Sequence, residues 1–131
     1  DIDMIITDIE TITFHYGAWR LRQSGQVRAI PLKEDNDFLL DLDEPIDVIF
    51  CMTVFEHMNK PLEVAKRFYD QLSSGGLLIF DYIKSDGYGL DTQQGVDERY
   101  AVLQYIQANF DVLHGNIDSE KTLSTTVVRK R

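Results

Sequence analysis

Two short runs of almost continuous apolar residues constrain the fold of this chain most. They are "VIFCM" at residues 48–52 and "LLIFDYI" at residues 77–83. Strands that are apolar at nearly every position are typical of parallel sheets covered on both faces. We therefore predict strands at residues 47–53 and 77–83 in an α/β domain with a layered sheet.

The segment between these two runs predicts a helix. Asn59 is the predicted N-cap, and Pro61 suits the first turn of a helix. Gly75 and Gly76 are expected to end it. The apolar residues of its predicted inner face are Leu62, Ala65, Phe68, Tyr69 and Leu72.

The remaining segments continue the alternation of strands and helices. Residues 4–7 and 27–32 predict strands, and between them a helix is expected near residues 13–23, ended by Gly25. Trp19 is predicted to lie in the core. Residues 33–44 form an acidic loop and residues 84–95 a glycine-containing one. A third helix is marked by Val96, Tyr100, Leu103 and Ile106, and an antiparallel hairpin at a sheet edge follows over residues 111–117 and 123–130.

Composition restricts the classes of function. The chain has 131 residues, 44% of them hydrophobic, which is enough for one domain with a single core. Its net charge of −9 disfavours a nucleic-acid partner. No apolar run approaches the roughly 20 residues that span a bilayer, so no membrane partner is expected. The single cysteine, Cys51, excludes an internal disulfide, and with no leader evident we predict a cytoplasmic protein.

The strand at residues 47–53 runs directly into Glu56 and His57. Ligands of open α/β sheets bind at the carboxyl ends of the strands. An acid and an imidazole at that place are therefore candidates for the chemistry of a site.

The stretch "IDVIFCMTVFEHMNKPLEVAKRFYDQLSSGGLLIFDYI" resembles the fourth strand, the following helix and the fifth strand of class I S-adenosylmethionine-dependent methyltransferases. "ITDIETITFHYGAWRL" is similar to the end of that family's second strand and its next helix, and the closing hairpin to strands six and seven. The resemblance covers nearly the whole chain and implies a Rossmann-like sheet, mostly parallel, with S-adenosylmethionine as the cofactor.

The chain departs from the family at its start. The first strand and the Gly-x-Gly-x-Gly loop of the family have no counterpart, and Gly87-x-Gly89 follows the wrong strand. We therefore expect an N-terminally truncated domain spanning residues 1–131. Its exposed strand edges would be covered by a second copy, as a homodimer, or by a complementing chain.

The resemblance also implies roles for individual residues. Asp8, followed by Ile9, lies where the family binds the ribose hydroxyls, and a carboxylate can accept both. Cys51, Met52 and Thr53 lie where the fourth strand passes the methionine part of the cofactor. The structural alternatives are that Asp8 is an ordinary acid at a strand end and that Cys51 and Met52 are ordinary core residues. The acidic residues 34–37 match the region of the family that contacts adenine. Asp81 and Tyr82 lie on the side where the family binds the methyl acceptor.

Glu56 and His57 are the predicted catalytic residues. Some family members have Glu-x-x-Glu-His here and hold a divalent ion, but Thr53 replaces the first acid, so no metal is predicted. His57 is instead a candidate general base. The alternative is that both side chains only shape the loop by hydrogen bonds.

The predicted function is S-adenosylmethionine-dependent methyl transfer to a small-molecule or protein nucleophile, with this chain as the C-terminal part of the catalytic domain. The alternative is a catalytically incompetent interaction module with the methyltransferase fold. A receiver-like or nucleotide-binding domain is a third alternative, which the Glu-His segment and the hairpin fit poorly.

Overall fold

The computed structural model describes residues 2–33, 40, 42–84, 89 and 91–131. The chain divides into two compact units, residues 1–40 and residues 41–131. None of the described helices is long and apolar enough to cross a lipid bilayer.

The first unit is a strand, a helix and a strand. β1 (Met4–Ile9) pairs in parallel with β2 (Val27–Leu32), and α1 (Ile12–Leu21) connects them through a short 3-10 turn. Thr11 begins the helix, because its hydroxyl accepts the Phe14 N–H at 3.1 Å. Gly25 ends the connection in the left-handed conformation, as the sequence predicted.

The buried face of α1 is narrower than its apolar residues suggested. Phe14 and Ala18, one turn apart, are buried, whereas Trp19 is 59% exposed and stacks on Tyr16. The prediction that Trp19 lies in the core is wrong. Only the stripe through positions 14 and 18 faces inward, and a helix turns by about 100° per residue, so position 19 points away from it.

The second unit contains a four-stranded sheet. Its strands are β3 (Ile46–Cys51), β4 (Leu72–Tyr82), β5 (Phe110–His114) and β6 (Leu123–Lys130), in the spatial order β3-β4-β6-β5. β3 and β4 are parallel, and β6 is antiparallel to both of its neighbours. The predicted hairpin is confirmed, but of its two strands only β5 is at an edge of the sheet, whereas β6 lies inside it.

Three α-helices accompany this sheet among the described residues. They are α2 (Pro61–Gln71), α3 (Gln93–Asp97) and α4 (Arg99–Asn109). The single helix expected after residue 95 is thus divided at Glu98. Tyr100, expected on its inner face, is 58% exposed.

The start of α2 differs from the prediction in its cap. Pro61 occupies the first turn as expected, but Lys60 rather than Asn59 is the N-cap residue, and its side chain makes no capping hydrogen bond. The carboxylate of Glu98 accepts the free Leu62 N–H at 3.1 Å instead. An acid from the junction of α3 and α4, distant in sequence, takes the place of a local cap.

The end of α2 comes earlier than Gly75-Gly76. The helix stops at Gln71, and β4 begins at once with Leu72, so the two glycines lie within β4. Gly75 has a positive φ of 76°. A Cβ on Gly76 would lie 2.9 Å from the carbonyl oxygen of Ser73 and 3.2 Å from that of Asp47, so this position has little room for a side chain.

The core of the second unit lies on one face of β4. Leu78, Phe80 and Tyr82 are fully buried, and the alternate residues of the strand are only half-buried. Phe55, which follows β3, is also fully buried. Its ring lies 5.2 Å from the ring of Tyr82 and 6.0 Å from that of Phe80. Phe55 therefore anchors the chain segment that continues into Glu56 and His57.

Candidate functional site

The carboxyl end of β3 has an unusual backbone. Cys51 is buried, Met52 is 38% exposed, and Thr53 has a φ of 55°. The Thr53 N–H donates to Asp81 Oδ1 at 2.5 Å, and its hydroxyl lies 3.4 Å from Asp81 Oδ2. Asp81 follows Phe80, which pairs with Cys51 across the two strands. The ends of β3 and β4 are thus joined by one carboxylate.

The short 3-10 helix Phe55–His57, which we call the His57 turn, follows directly. The His57 N–H donates to the Val54 carbonyl at 2.9 Å and closes the turn. Phe55 holds the turn in the core, while the His57 side chain is 36% exposed. The predicted position of an imidazole just beyond a strand end is what the structure shows.

His57 is paired with an acid. Its Nδ1 lies 3.0 Å from Oδ1 of Asp91. A neutral imidazole that donates Nδ1–H to this carboxylate keeps its lone pair on Nε2. Nε2 lies 3.9 Å from Oε1 of Glu56. The arrangement is an Asp-His pair whose outer nitrogen can accept a proton.

Glu56 is almost completely buried, with 1% of its surface exposed. Neither carboxyl oxygen has a hydrogen-bond partner among the residues that the structure describes. Burial raises the pKa of Glu56, and the charges of Asp81 and Asp91 act in the same direction, whereas its own backbone N–H and His57 oppose them. Glu56 is thus a weaker acid than an exposed glutamate, with its carboxyl beside Nε2 of the imidazole.

The segment before α3 brings Asp91 to His57. The Thr92 N–H donates to the Glu56 carbonyl at 3.0 Å, and the Thr92 hydroxyl donates to the Met58 carbonyl. The same hydroxyl accepts the Gly95 N–H at 2.9 Å and so caps α3. Sequence reasoning missed Asp91, because nothing local distinguishes it from the other acids of the loop at residues 84–95.

Two further predicted residues are buried. Burial raises the pKa of the Cys51 thiol far above its ordinary value, which argues against a nucleophilic thiolate. Tyr82 is fully buried and donates its hydroxyl to the Gly95 carbonyl at 2.6 Å. The expectation that Tyr82 lies on the acceptor side is therefore wrong, since β4 points this side chain into the core.

Asp8 and Ile9 belong to the first unit. Both are exposed at the end of β1, and Asp8 Oδ1 accepts the Ile9 N–H at 2.7 Å. A carboxylate has about four acceptor positions, so Asp8 can take further donors. Their assignment to the cofactor ribose stays a prediction.

The acidic residues 34–37 and the Gly87 position of the glycine pair lie outside the described residues. Within the described ranges, no three His, Cys, Asp or Glu side chains are grouped so that they could hold a metal ion.

The mixed sheet and its strand-end site can be compared with known proteins. A family model described as a methyltransferase domain matches residues 11–127. The chain belongs to this family. Its α/β fold is the class I methyltransferase fold that the sequence predicted, with two parallel and two antiparallel strand pairings among the described residues.

Solved structures show the same fold. The N-methyltransferase NodS from Bradyrhizobium japonicum WM9, in complex with S-adenosyl-L-homocysteine, superposes with a TM-score of 0.69 at 10% identity, over 98% of this chain and 66% of NodS. The [4+2]-cyclase SpnF gives 0.67 at 12% identity, over 98% and 66%. A SAM-dependent methyltransferase from Aquifex aeolicus gives 0.63 at 13% identity, over 98% and 69%.

This methyltransferase domain spans about two thirds of the length of those structures. A search of the curated proteins gives no match. The identities are low, so the superpositions concern the fold, and one of the superposed proteins is named as a cyclase. The reaction must be argued from the site.

Proposed function

We propose that this methyltransferase domain moves the methyl group of S-adenosylmethionine to a small-molecule or protein nucleophile. The observation that carries the proposal is the His57–Asp91 pair at the carboxyl end of β3, in a chain of the methyltransferase domain family. This is the edge of an α/β sheet where ligands bind.

Features of each unit, taken separately, support such a cofactor. Asp8 has acceptor capacity for two ribose hydroxyls, and Met52 offers exposed apolar surface beside the backbone of Cys51 and Thr53. Asp81 adds negative charge near the same strand end, which suits a sulfonium. When bound, S-adenosylmethionine supplies a methyl group that its sulfonium already activates. Asp8, Ile9, Cys51, Met52 and Thr53 are the residues proposed to hold it.

His57 is proposed to act as the general base. Asp91 holds the Nδ1–H, so Nε2 is available to take a proton from a hydroxyl or amine of the methyl acceptor. The Asp91 carboxylate then lies 3.0 Å from a ring that has become positively charged, and stabilises it. Glu56 is buried, and its Oε1 lies 3.9 Å from Nε2, so its carboxyl flanks the nitrogen that takes the proton.

The first test is calorimetric titration of the chain with S-adenosylhomocysteine, followed by transfer of a labelled methyl group to a panel of alcohols, phenols, amines and peptides. His57→Gln is expected to lower the rate of transfer about 10²- to 10⁴-fold with little change in cofactor affinity. His15→Gln is the matched control, because His15 is also a histidine next to an acid, Glu10, at 3.3 Å.

Absence of S-adenosylhomocysteine binding would contradict the proposed function. If S-adenosylhomocysteine binds and the wild type, His57→Gln and His15→Gln transfer methyl at equal rates, the chain is a methyltransferase but His57 is not its general base.

A second candidate function is a catalytically incompetent interaction module. β3 is at one edge of its four-stranded sheet, and Val48, Phe50 and Met52 on one face of the chain there are 41%, 72% and 38% exposed. An edge strand with exposed apolar side chains favours pairing with another chain, and we propose a homodimer or a complementing chain as the partner.

Sedimentation equilibrium tests this second candidate. A dimer of the wild-type chain that dissociates in Phe50→Lys would support it, provided that S-adenosylhomocysteine does not bind. Val112→Lys, at an exposed position of β5 on the other edge, is the control and should leave the assembly unchanged. A monomeric wild-type chain would contradict the homodimer and leave only a complementing chain as the partner.

The remaining expectations rest on the sequence. A cytoplasmic location agrees with the buried free thiol of Cys51. The absence of nucleic-acid and membrane partners, and the N-terminal truncation of the domain, stay predictions.

A further inference from the structure

We infer that Asp81 is a positioning residue: its carboxylate holds Thr53 in a left-handed backbone conformation and thereby fixes the His57 turn. The inference deepens the proposed function, and its meaning for methyl transfer rests on that function. The contacts on which it depends lie within the second unit.

Thr53 has a backbone conformation that its side chain disfavours. Its φ of 55° is positive, and among the described residues all others with positive φ are glycines. Threonine is β-branched, so its side chain clashes with the backbone in this region, and such a residue persists only where the surroundings fix it. Something next to Thr53 must therefore stabilise the conformation.

Asp81 makes the contacts that can do so. One carboxylate oxygen accepts the Thr53 N–H at 2.5 Å, and the other lies 3.4 Å from the Thr53 hydroxyl. The first is a charge-assisted hydrogen bond to the strained peptide unit. Asp81 is itself held in β4, one residue after the Phe80–Cys51 pairing. The carboxylate is thus fixed by the sheet and not by a mobile loop.

Thr53 decides where the His57 turn begins. β3 ends at Cys51, and the chain changes direction at Thr53 before Val54 and the turn. If Thr53 adopted an ordinary extended conformation, the following residues would leave the strand in another direction. Asp81 therefore fixes the backbone conformation that leads to His57, and Asp91 fixes the orientation of the His57 ring.

Amide hydrogen exchange of His57 is the measurement that tests this inference without any ligand. The His57 N–H donates to the Val54 carbonyl at 2.9 Å, so its exchange rate reports opening of the turn. The variants are Asp81→Ala, Asp81→Asn, Thr53→Gly and the double variant Thr53→Gly/Asp81→Ala. Asp47→Ala is the matched control, since Asp47 accepts the Ser73 hydroxyl at 3.1 Å at the other end of the same strand pair.

Asp81→Ala is expected to speed exchange at His57 about tenfold, as loss of support for one strained residue implies. Glycine adopts positive φ without a steric penalty. The double variant should therefore exchange within about twofold of Thr53→Gly alone. Asp47→Ala should match the wild type. An unchanged rate in Asp81→Ala, or a double variant as fast as Asp81→Ala, would overturn the inference.

Two further measurements keep the result decisive. If Asp81→Ala does not fold, Asp81→Asn takes its place, because it retains one acceptor oxygen and should show an intermediate exchange rate. A wild-type rate in Asp81→Asn, together with fast exchange in the double variant, would overturn the inference. Titration with S-adenosylhomocysteine separates the two proposals. A wild-type chain that does not bind it contradicts the proposed function, while the exchange rates still decide the role of Asp81.

Discussion

Replacing Gly95 with alanine tests whether α3 is fixed against the His57 turn. A Cβ at this position would lie 2.8 Å from the carbonyl carbon of Glu56, closer still to its carbonyl oxygen, and 3.0 Å from the Thr92 hydroxyl. Carbon atoms in contact are ordinarily about 3.5 Å apart or more, so the backbone of α3 or of the turn must move by about 1 Å.

The cost follows from what this movement disturbs. Overpacking of a filled site typically destabilises by about 1–3 kcal/mol. The Tyr82 hydroxyl, which donates to the Gly95 carbonyl at 2.6 Å, is buried, and leaving it without a partner costs about another 1–3 kcal/mol. We expect Gly95→Ala to lower the free energy of unfolding by about 2–6 kcal/mol.

Gly17→Ala is the matched control, because Gly17 lies in α1 and a Cβ there would meet nothing within 4 Å. Alanine is the better helix former by about 1 kcal/mol, so this change should stabilise the first unit. Urea unfolding followed by far-UV circular dichroism reports the effect of Gly95→Ala. Fluorescence of Trp19, the only tryptophan, reports the effect of Gly17→Ala.

Opposite signs for these two glycine-to-alanine changes are the expected result. If Gly95→Ala unfolded at the same urea concentration as the wild type, α3 would not be packed on the Glu56 carbonyl. The structural reason for the nearness of Asp91 to His57 would then be lost as well.

Two more predictions concern buried or partly buried charges. Burial raises the pKa of Glu56 above its ordinary 4.5, so the folded chain holds this proton more tightly than the unfolded chain. The resulting stability is present below pH 4.5 and is lost as the pH rises through the raised pKa. Glu56→Gln should therefore gain stability relative to the wild type between pH 4 and pH 7 in urea unfolding, and an equal difference at both pH values would refute this. Lys130→Met removes the bonds that the ammonium donates to the carbonyls of Tyr69 and Leu72, at 2.6 and 2.7 Å, and should destabilise by about 1.5–3 kcal/mol. The exposed Lys66→Met is its control, and equal effects of the two changes would contradict the prediction.

Local patterns in the sequence predicted most of the elements correctly. β2 and β6 were predicted at their observed bounds, and β3 nearly so, because strand patterns are set by a few neighbouring residues. The end of α2 was predicted wrongly, since glycines normally end helices, whereas here Gly76 lies within β4, where the carbonyl oxygens of Ser73 and Asp47 leave little room for a Cβ. Local signals cannot distinguish these two uses of glycine.

The sequence by itself determined the order of strands and helices, the methyltransferase fold and the position of His57 just after a buried strand. Only the tertiary structure decided what surrounds His57. Asp91 reaches its ring, Asp81 holds Thr53, and Glu98 caps α2, although each acid is distant in sequence from its partner. Hydrophobic periodicity specifies which face of an element is buried. It carries no information on which exposed acid will meet which donor, because that depends on the register and packing of elements that the chain brings together only when it folds.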